Sequence, residues 1–101
     1  MRRALPILLA GCLMASPAPA DQALAKVKNC LSCHAIDKKI VGPAYQDIAR
    51  KYGGQKDAPE VLASKIMKGG SGVWGVVPMP VNSQVNEADA RKLANWVLSL
   101  K

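Results

Sequence analysis

Two cysteines and a histidine stand close together in the sequence, in the run Cys30-Leu31-Ser32-Cys33-His34. Two thiols three positions apart lie on one side of a helical turn, so each can add to a vinyl group of the same haem. A histidine directly after the second cysteine is then directed at the iron. The pattern is that of c-type haem attachment. It predicts one haem c bound covalently through Cys30 and Cys33, with His34 as an iron ligand.

Other uses of a Cys-x-x-Cys pair fit this chain less well. A redox dithiol normally follows a strand in a βαβ unit, and the sequence has no strand pattern. Zinc prefers four ligands, but there is no second cysteine pair and His34 is the only histidine. A disulfide across two intervening residues would constrain the chain very little. We therefore favour haem over these three uses.

The second axial ligand of the iron must be something other than histidine, because the sequence contains no histidine besides His34. The choice is methionine, lysine, a small molecule or nothing. Met67 lies in a predicted helix, where packing explains it. Met79 lies between Pro78 and Pro80, which restrict the backbone and remove two N–H donors. Such a segment suits the presentation of one thioether, so we expect Met79 to bind the iron and to raise its potential relative to a second histidine.

The elements that would position these groups are all helical. Four helices are predicted. The first begins with a cap at Asp21, the second spans 44–52, the third begins at Asp57, and the fourth begins with a cap at Asn86. The first is expected to carry an apolar face of Leu24, Val27 and Leu31. Residues 69–86 show no helical or strand period, and a loop this long in a small domain is usually functional. The fold class is therefore all-α, with about four short helices around one haem.

The first twenty residues are typical of a cleaved secretory signal. Arg2 and Arg3 precede an apolar run over residues 4–15, and the small residues Ala18 and Ala20 follow. The run is too short to span a bilayer, which needs about 20 apolar residues. We expect cleavage after Ala20 and export, in agreement with haem attachment outside the cytoplasm.

A lipoprotein signal is the alternative to simple cleavage. Leu9-Ala10-Gly11-Cys12 resembles a lipobox, in which Cys12 would be lipidated and anchored at a membrane. Only a short apolar stretch precedes Cys12, so we favour the soluble product. The expected division is a signal peptide over 1–20 and one domain over 21–101.

Composition limits what the mature chain can be. The 101 residues allow one domain, and the formal net charge is +7 from 14 basic and 7 acidic residues. Without residues 1–20 there are 12 basic and 7 acidic residues, a net charge of +5. Half of the chain is hydrophobic, which excludes a disordered basic tail, and nothing resembles a nucleic-acid module. Phenylalanine is absent, so a bound cofactor would supply apolar bulk that the core lacks.

The chain resembles the small bacterial class I cytochromes c of the c-551 type over essentially all of 21–101. The matching segments are Cys30-Leu31-Ser32-Cys33-His34, Val41-Gly42-Pro43-Ala44-Tyr45, Gly72-Val73-Trp74-Gly75, Pro78-Met79-Pro80 and Leu93-Ala94-Asn95-Trp96-Val97-Leu98. The resemblance implies a monohaem domain with His34 and Met79 on the iron.

The resemblance also implies roles for four further residues. Pro43 matches the residue whose carbonyl accepts a hydrogen bond from the haem-bound histidine. Trp74 matches a tryptophan that donates to a haem propionate, and Lys65 stands where the family often has an arginine near a propionate. Asn82 matches an asparagine whose side chain reaches the axial sulfur. Val81 departs from the pattern, since many relatives have a second proline there.

The function implied is that of a periplasmic one-electron carrier. The expected partners are a membrane cytochrome complex as donor and a terminal reductase or oxidase, such as nitrite reductase, as acceptor. The resemblance implies a monomer that is not an enzyme, binds no nucleic acid and has no stable membrane insertion. Two alternatives stay open: a haem-based gas-binding or sensor protein with an open sixth position, and an electron-entry module of an enzyme.

Overall fold

The structure is a computed structural model that describes residues 18–100, with side chains from Asp21 onward. The helices are α1 (Ala18–Val27), α2 (Tyr45–Tyr52), α3 (Ala58–Lys68) and α4 (Glu87–Leu98), and a 3-10 turn spans Cys30–Ser32. Over these residues there is no strand, so the predicted all-α class is confirmed. The predicted cleavage after Ala20 and the lipidation of Cys12 concern a segment whose side chains lie outside the described residues.

Helix α4 is the centre of the packing, because α1, α2 and α3 all lie against it. It buries Leu93, Ala94, Trp96 and Val97. The ring of Trp96 meets that of Tyr45 edge to face, with centroids 5.2 Å apart. Much of the remaining core is alanine, including positions 25, 49, 63 and 90. Small side chains let the helices approach closely, but they bury little apolar surface, as the composition predicts.

The helix starts agree with the sequence patterns to different degrees. Asn86 caps α4, and its side chain accepts a hydrogen bond from the Asp89 amide at 2.8 Å. Asp57 occupies the cap position of α3, but its side chain makes no capping hydrogen bond. Asp21 lies inside the first turn of α1 rather than at its cap, because that helix begins at Ala18.

The prediction that Val27 belongs to the buried apolar face of α1 is wrong, because this residue is 77% exposed. The buried face is centred on Ala25, which is fully buried, and Leu24 packs beside it. Val27 lies two residues further on, about 200° around the helix, so it points away from the core. Leu31 does pack against the core, from the 3-10 turn that follows.

The long irregular segment after α3 is present as expected. No helix lies between Lys68 and Glu87. An isolated antiparallel bridge pairs Gly70 with Met79 and closes residues 70–79 into a lobe beside the helices. Among the helices that the structure describes, none is long and apolar enough to cross a membrane.

Candidate haem site

A largely apolar cavity opens between the helices, the 3-10 turn and the lobe of residues 70–79. The space inside it, counted out to its open mouth, is about 1100 Å³. Most of the predicted site residues line it, namely Cys30, Cys33, His34, Pro43, Lys65, Trp74 and Met79. Asn82 and the rejected ligand Met67 are not among its lining residues. Tertiary folding thus brings together seven of the eight predicted site residues.

The 3-10 turn brings both thiols to the cavity wall. Asn29, at φ 70°, reverses the chain after α1, and the amides of Cys33 and His34 both donate to the Cys30 carbonyl at 3.2 and 3.1 Å. Both cysteines are free thiols and half-buried. Burial raises the pKa of the Cys30 thiol above its ordinary value, as expected for a thiol against an apolar cavity.

His34 is fixed in orientation by two contacts. Its Nδ1 donates a hydrogen bond to the Pro43 carbonyl oxygen at 2.8 Å. A carbonyl can only accept, so Nδ1 carries the hydrogen and Nε2 presents a lone pair. The imidazole also stacks on Tyr45, with centroids 5.0 Å apart. The bond that the resemblance implied between Pro43 and the histidine is therefore present, and it makes the ring a better iron ligand.

Gly42 belongs to this arrangement, although no sequence pattern assigned it to the site. A Cβ at this position would lie 2.6 Å from Cε1 and 3.0 Å from Nδ1 of His34. Only glycine lets the backbone pass so close to the imidazole face. The signal available in the sequence was the Gly42-Pro43 pair, which indicates a chain break but not its contact with the ring.

Tyr45 is the second residue that the sequence analysis did not assign a role at the site. Its ring lies between His34 and Trp96. Burial raises the pKa of the Tyr45 phenol above its ordinary value, so this group stays neutral. Tyr45 therefore supports the imidazole as a rigid aromatic wall that carries no charge.

Met79 is held by backbone hydrogen bonds in both directions. Its amide donates to the Gly70 carbonyl at 2.7 Å, and the Gly70 amide donates to the Met79 carbonyl at 3.0 Å. Gly69, at φ 72°, ends α3, and a Cβ there would collide with the Met79 carbonyl oxygen and lie 2.9 Å from the Pro80 carbonyl. In the sequence, Gly69 begins the stretch without a helical period, whereas its contact with the Met79 segment appears only in the structure.

Trp74 and Lys65 line the cavity from different elements. Trp74 lies in the lobe and is 42% exposed, and the ammonium of Lys51 lies 5.8 Å from its ring centroid. Lys65 lies on α3. Their expected contacts with haem propionates stay predictions.

Asn82 makes hydrogen bonds that the resemblance did not imply. Its Nδ2 donates to the carbonyls of Ile66 at 2.7 Å and Pro80 at 3.3 Å. No bond to the Met79 sulfur is among the hydrogen bonds of the described residues, and that contact stays a prediction. In this geometry, Asn82 attaches the segment after Met79 to the last turn of α3.

The residues present fit a covalently attached haem. Two thiols lie beside an imidazole whose Nε2 lone pair is available, and a thioether reaches the same apolar cavity from a separate segment. The cavity has the apolar character of a cofactor site. Imidazole and thioether groups are both known axial ligands of c-type haems, and ligation of the iron by Met79 stays a prediction.

Comparison with known proteins gives the same result. The family model for cytochrome c matches residues 21–101. Cytochrome c-552 of Nitrosomonas europaea is 54% identical over 89 residues, covering 88% of this chain and 86% of that protein. Cytochrome c-551 of Pseudomonas aeruginosa is 50% identical over 99 residues, covering 96% and 94%. The crystal structure of wild-type Nitrosomonas europaea cytochrome c552 superposes with a TM-score of 0.78 at 54% identity, covering 79% of this chain and 99% of that one.

A small helical domain whose cavity wall carries a Cys-x-x-Cys-His turn is the structure of a class I c-type cytochrome. The chain belongs to the cytochrome c family. Its cofactor is covalent haem c, for which Cys30 and Cys33 match the attachment motif. The relatives are cytochromes c-552 and c-551, which act as electron carriers. The family resemblance stated from the sequence is confirmed.

Proposed function

We propose that this protein is a periplasmic one-electron carrier whose iron is bound by His34 and Met79. The observation that carries the proposal is that both side chains line one cavity from separate segments, whereas Met67 does not line it. When bound, the haem supplies one-electron chemistry by cycling between ferric and ferrous iron. If His34 and Met79 both hold the iron, the chain would leave no coordination site for a substrate or a gas.

The chain's own residues keep this geometry constant. The Pro43 carbonyl and the Tyr45 ring fix the orientation of His34, and the bridge to Gly70 fixes Met79. A site held from both sides changes little when the charge on the iron changes, which favours rapid electron transfer. We assign Trp74 and Lys65 to the propionates, because both line the cavity with groups that donate hydrogen bonds.

The residues around the cavity mouth also favour transient binding of a redox partner. Val41, Val73 and Val77 line the cavity and are 52%, 47% and 60% exposed. No acidic residue lines the cavity in the described part of the chain, and residues 21–101 carry a net charge of +5. An apolar contact with a basic component suits a small, short-lived complex with an acidic partner. We propose a membrane cytochrome complex as the donor and nitrite reductase or a terminal oxidase as the acceptor.

Substitution of the two methionines tests the proposed ligation. In Met79→Ala we expect loss of the weak ferric absorption band of the iron–sulfur bond, a lower midpoint potential, and binding of carbon monoxide to the ferrous protein. The matched control Met67→Ala is expected to leave all three unchanged. Ready binding of carbon monoxide by the wild-type ferrous protein at neutral pH would instead support a gas-binding function. A ligand-loss spectrum in Met67→Ala would retain the carrier function but reject Met79 as the ligand.

Export is tested separately by the N-terminus of the mature protein. Mass spectrometry of protein isolated from the periplasm is expected to show a chain that begins at Asp21. A diacylated or triacylated Cys12 would place the protein on a membrane surface and reject the soluble form.

A further inference from the structure

A series of hydrogen bonds outside the cavity joins the segment before Cys30 to the segment after Met79. The side-chain Nε2 of Gln84 donates to the Lys28 carbonyl at 2.9 Å and to Oδ1 of Asn82 at 3.3 Å. In return, the Lys28 ammonium donates to the Gln84 carbonyl at 3.1 Å. Lys28 and Gln84 therefore bond reciprocally across 56 positions of sequence.

The two hydrogen bonds of Gln84 also determine how the amide of Asn82 is oriented. Because Oδ1 of Asn82 accepts from Gln84, its NH₂ group is turned toward the carbonyls of Ile66 and Pro80. The Ile66 carbonyl lies in the last turn of α3, where carbonyls have no partner within the helix. The Pro80 carbonyl belongs to the residue directly after Met79. Asn82 thus fixes the Met79 segment to α3, in the orientation that Gln84 selects.

Lys28 gives this connection a fixed anchor at its other end. Its ammonium lies 3.7 Å from a carboxylate oxygen of Asp89, in the first turn of α4, and both side chains are mostly buried. Only Asn29 separates Lys28 from the haem-attachment cysteine Cys30. The hydrogen bonds therefore run from the attachment turn to the methionine segment, and displacement of Met79 from the cavity would have to stretch or break them.

We propose that Gln84 is a positioning residue for the Met79 ligand: by donating to both the Lys28 carbonyl and Asn82, it ties the methionine segment to the haem-attachment turn. The proposal rests on the proposed function, since it takes Met79 as the iron ligand. Gln84 itself touches neither the iron site nor the cavity, and it acts through Asn82.

The test compares Gln84→Ala and Gln84→Glu with Gln55→Ala in the holoprotein. Gln55 is a matched control, because its Nε2 makes one exposed hydrogen bond, to the Lys51 carbonyl at 3.3 Å. Two readouts are measured: the rate of carbon monoxide binding to the ferrous protein, and hydrogen exchange at the Met79 backbone amide. Loss of two hydrogen bonds is expected to raise the rate of carbon monoxide binding about five- to thirtyfold in Gln84→Ala. Exchange at the Met79 amide is expected to accelerate in parallel.

The glutamate variant tests the donor role. A carboxylate cannot donate to the Lys28 carbonyl or to Oδ1 of Asn82, so Gln84→Glu is expected to behave like Gln84→Ala. Wild-type behaviour of Gln84→Glu in both readouts would overturn the proposal. So would a Gln84→Ala protein with a lower melting temperature but unchanged carbon monoxide binding and Met79 exchange, because Gln84 would then be merely structural. Ready binding of carbon monoxide by the wild-type protein would refute the proposed function instead. Hydrogen exchange at the Met79 amide would then be the only readout that tests whether Gln84 ties the Met79 segment to the haem-attachment turn.

Discussion

Replacement of Gly69 by alanine is expected to displace Met79, the proposed iron ligand, without changing its side chain. Gly69 ends α3 at φ 72° and ψ −158°, a combination that is essentially confined to glycine. The added Cβ would meet the Met79 carbonyl oxygen and, at 2.9 Å, the carbonyl carbon and oxygen of Pro80. These are backbone atoms, so rotation of a side chain cannot relieve the contact. The Met79–Pro80 segment itself has to move away from α3.

The size of the effect follows from two destabilising contributions and one that offsets part of them. The backbone conformation alone costs about 1–3 kcal/mol for a residue with a Cβ. Overpacking against fixed atoms adds about 1–3 kcal/mol. Alanine also restricts the unfolded chain more than glycine does, which offsets less than about 1 kcal/mol of the lost stability. The net effect is a loss of about 1–6 kcal/mol in the free energy of unfolding of Gly69→Ala, which is a large share of the stability of a small domain.

Gly54→Ala is the matched control, since Gly54 also has a positive φ, 90°, but nothing lies within 4 Å of its added Cβ. It should show the backbone cost alone, about 1–3 kcal/mol. In a domain of this size each kcal/mol shifts the melting temperature by about 4–8 °C. Gly69→Ala is therefore expected to melt below Gly54→Ala and, unlike it, to lose part of the ferric iron–sulfur band. Equal melting temperatures together with an intact band in both variants would refute the close approach of α3 to the methionine segment.

Three further outcomes are expected. Gly42→Ala should tilt the His34 imidazole, weaken the hydrogen bond of its Nδ1 and raise the midpoint potential, because a less basic ligand stabilises ferric iron less. Gly54→Ala, at a residue that does not line the cavity and has open space around its Cβ, should leave the potential unchanged in the same redox titration. On a denaturing gel stained for haem, the haem should migrate with the polypeptide, and its loss on denaturation would contradict thioether bonds to Cys30 and Cys33. The haem-free mature chain should show no sharp thermal transition by circular dichroism, since its alanine-rich core buries too little apolar surface to offset chain entropy.

The sequence by itself determined the parts of this protein that depend on neighbouring residues. The haem-attachment turn is predictable from Cys30 and Cys33 alone, because two thiols at that spacing lie on one side of a turn. The cap at Asn86 is equally local, since its side chain reaches an amide only three residues away. Met79 was predictable as a ligand candidate from its two flanking prolines, although its place at the cavity was not.

What only the tertiary structure decided are contacts between segments that are distant along the chain. Gly42 and Gly69 were recognisable as chain breaks, but the side chain and backbone that exclude a Cβ there belong to His34 and Met79. The exposure of Val27 could not be predicted from helical spacing, because the direction of the buried face depends on where α4 lies. The bonds between Lys28 and Gln84 join residues 56 positions apart, and no local pattern encodes which distant carbonyl an exposed glutamine reaches.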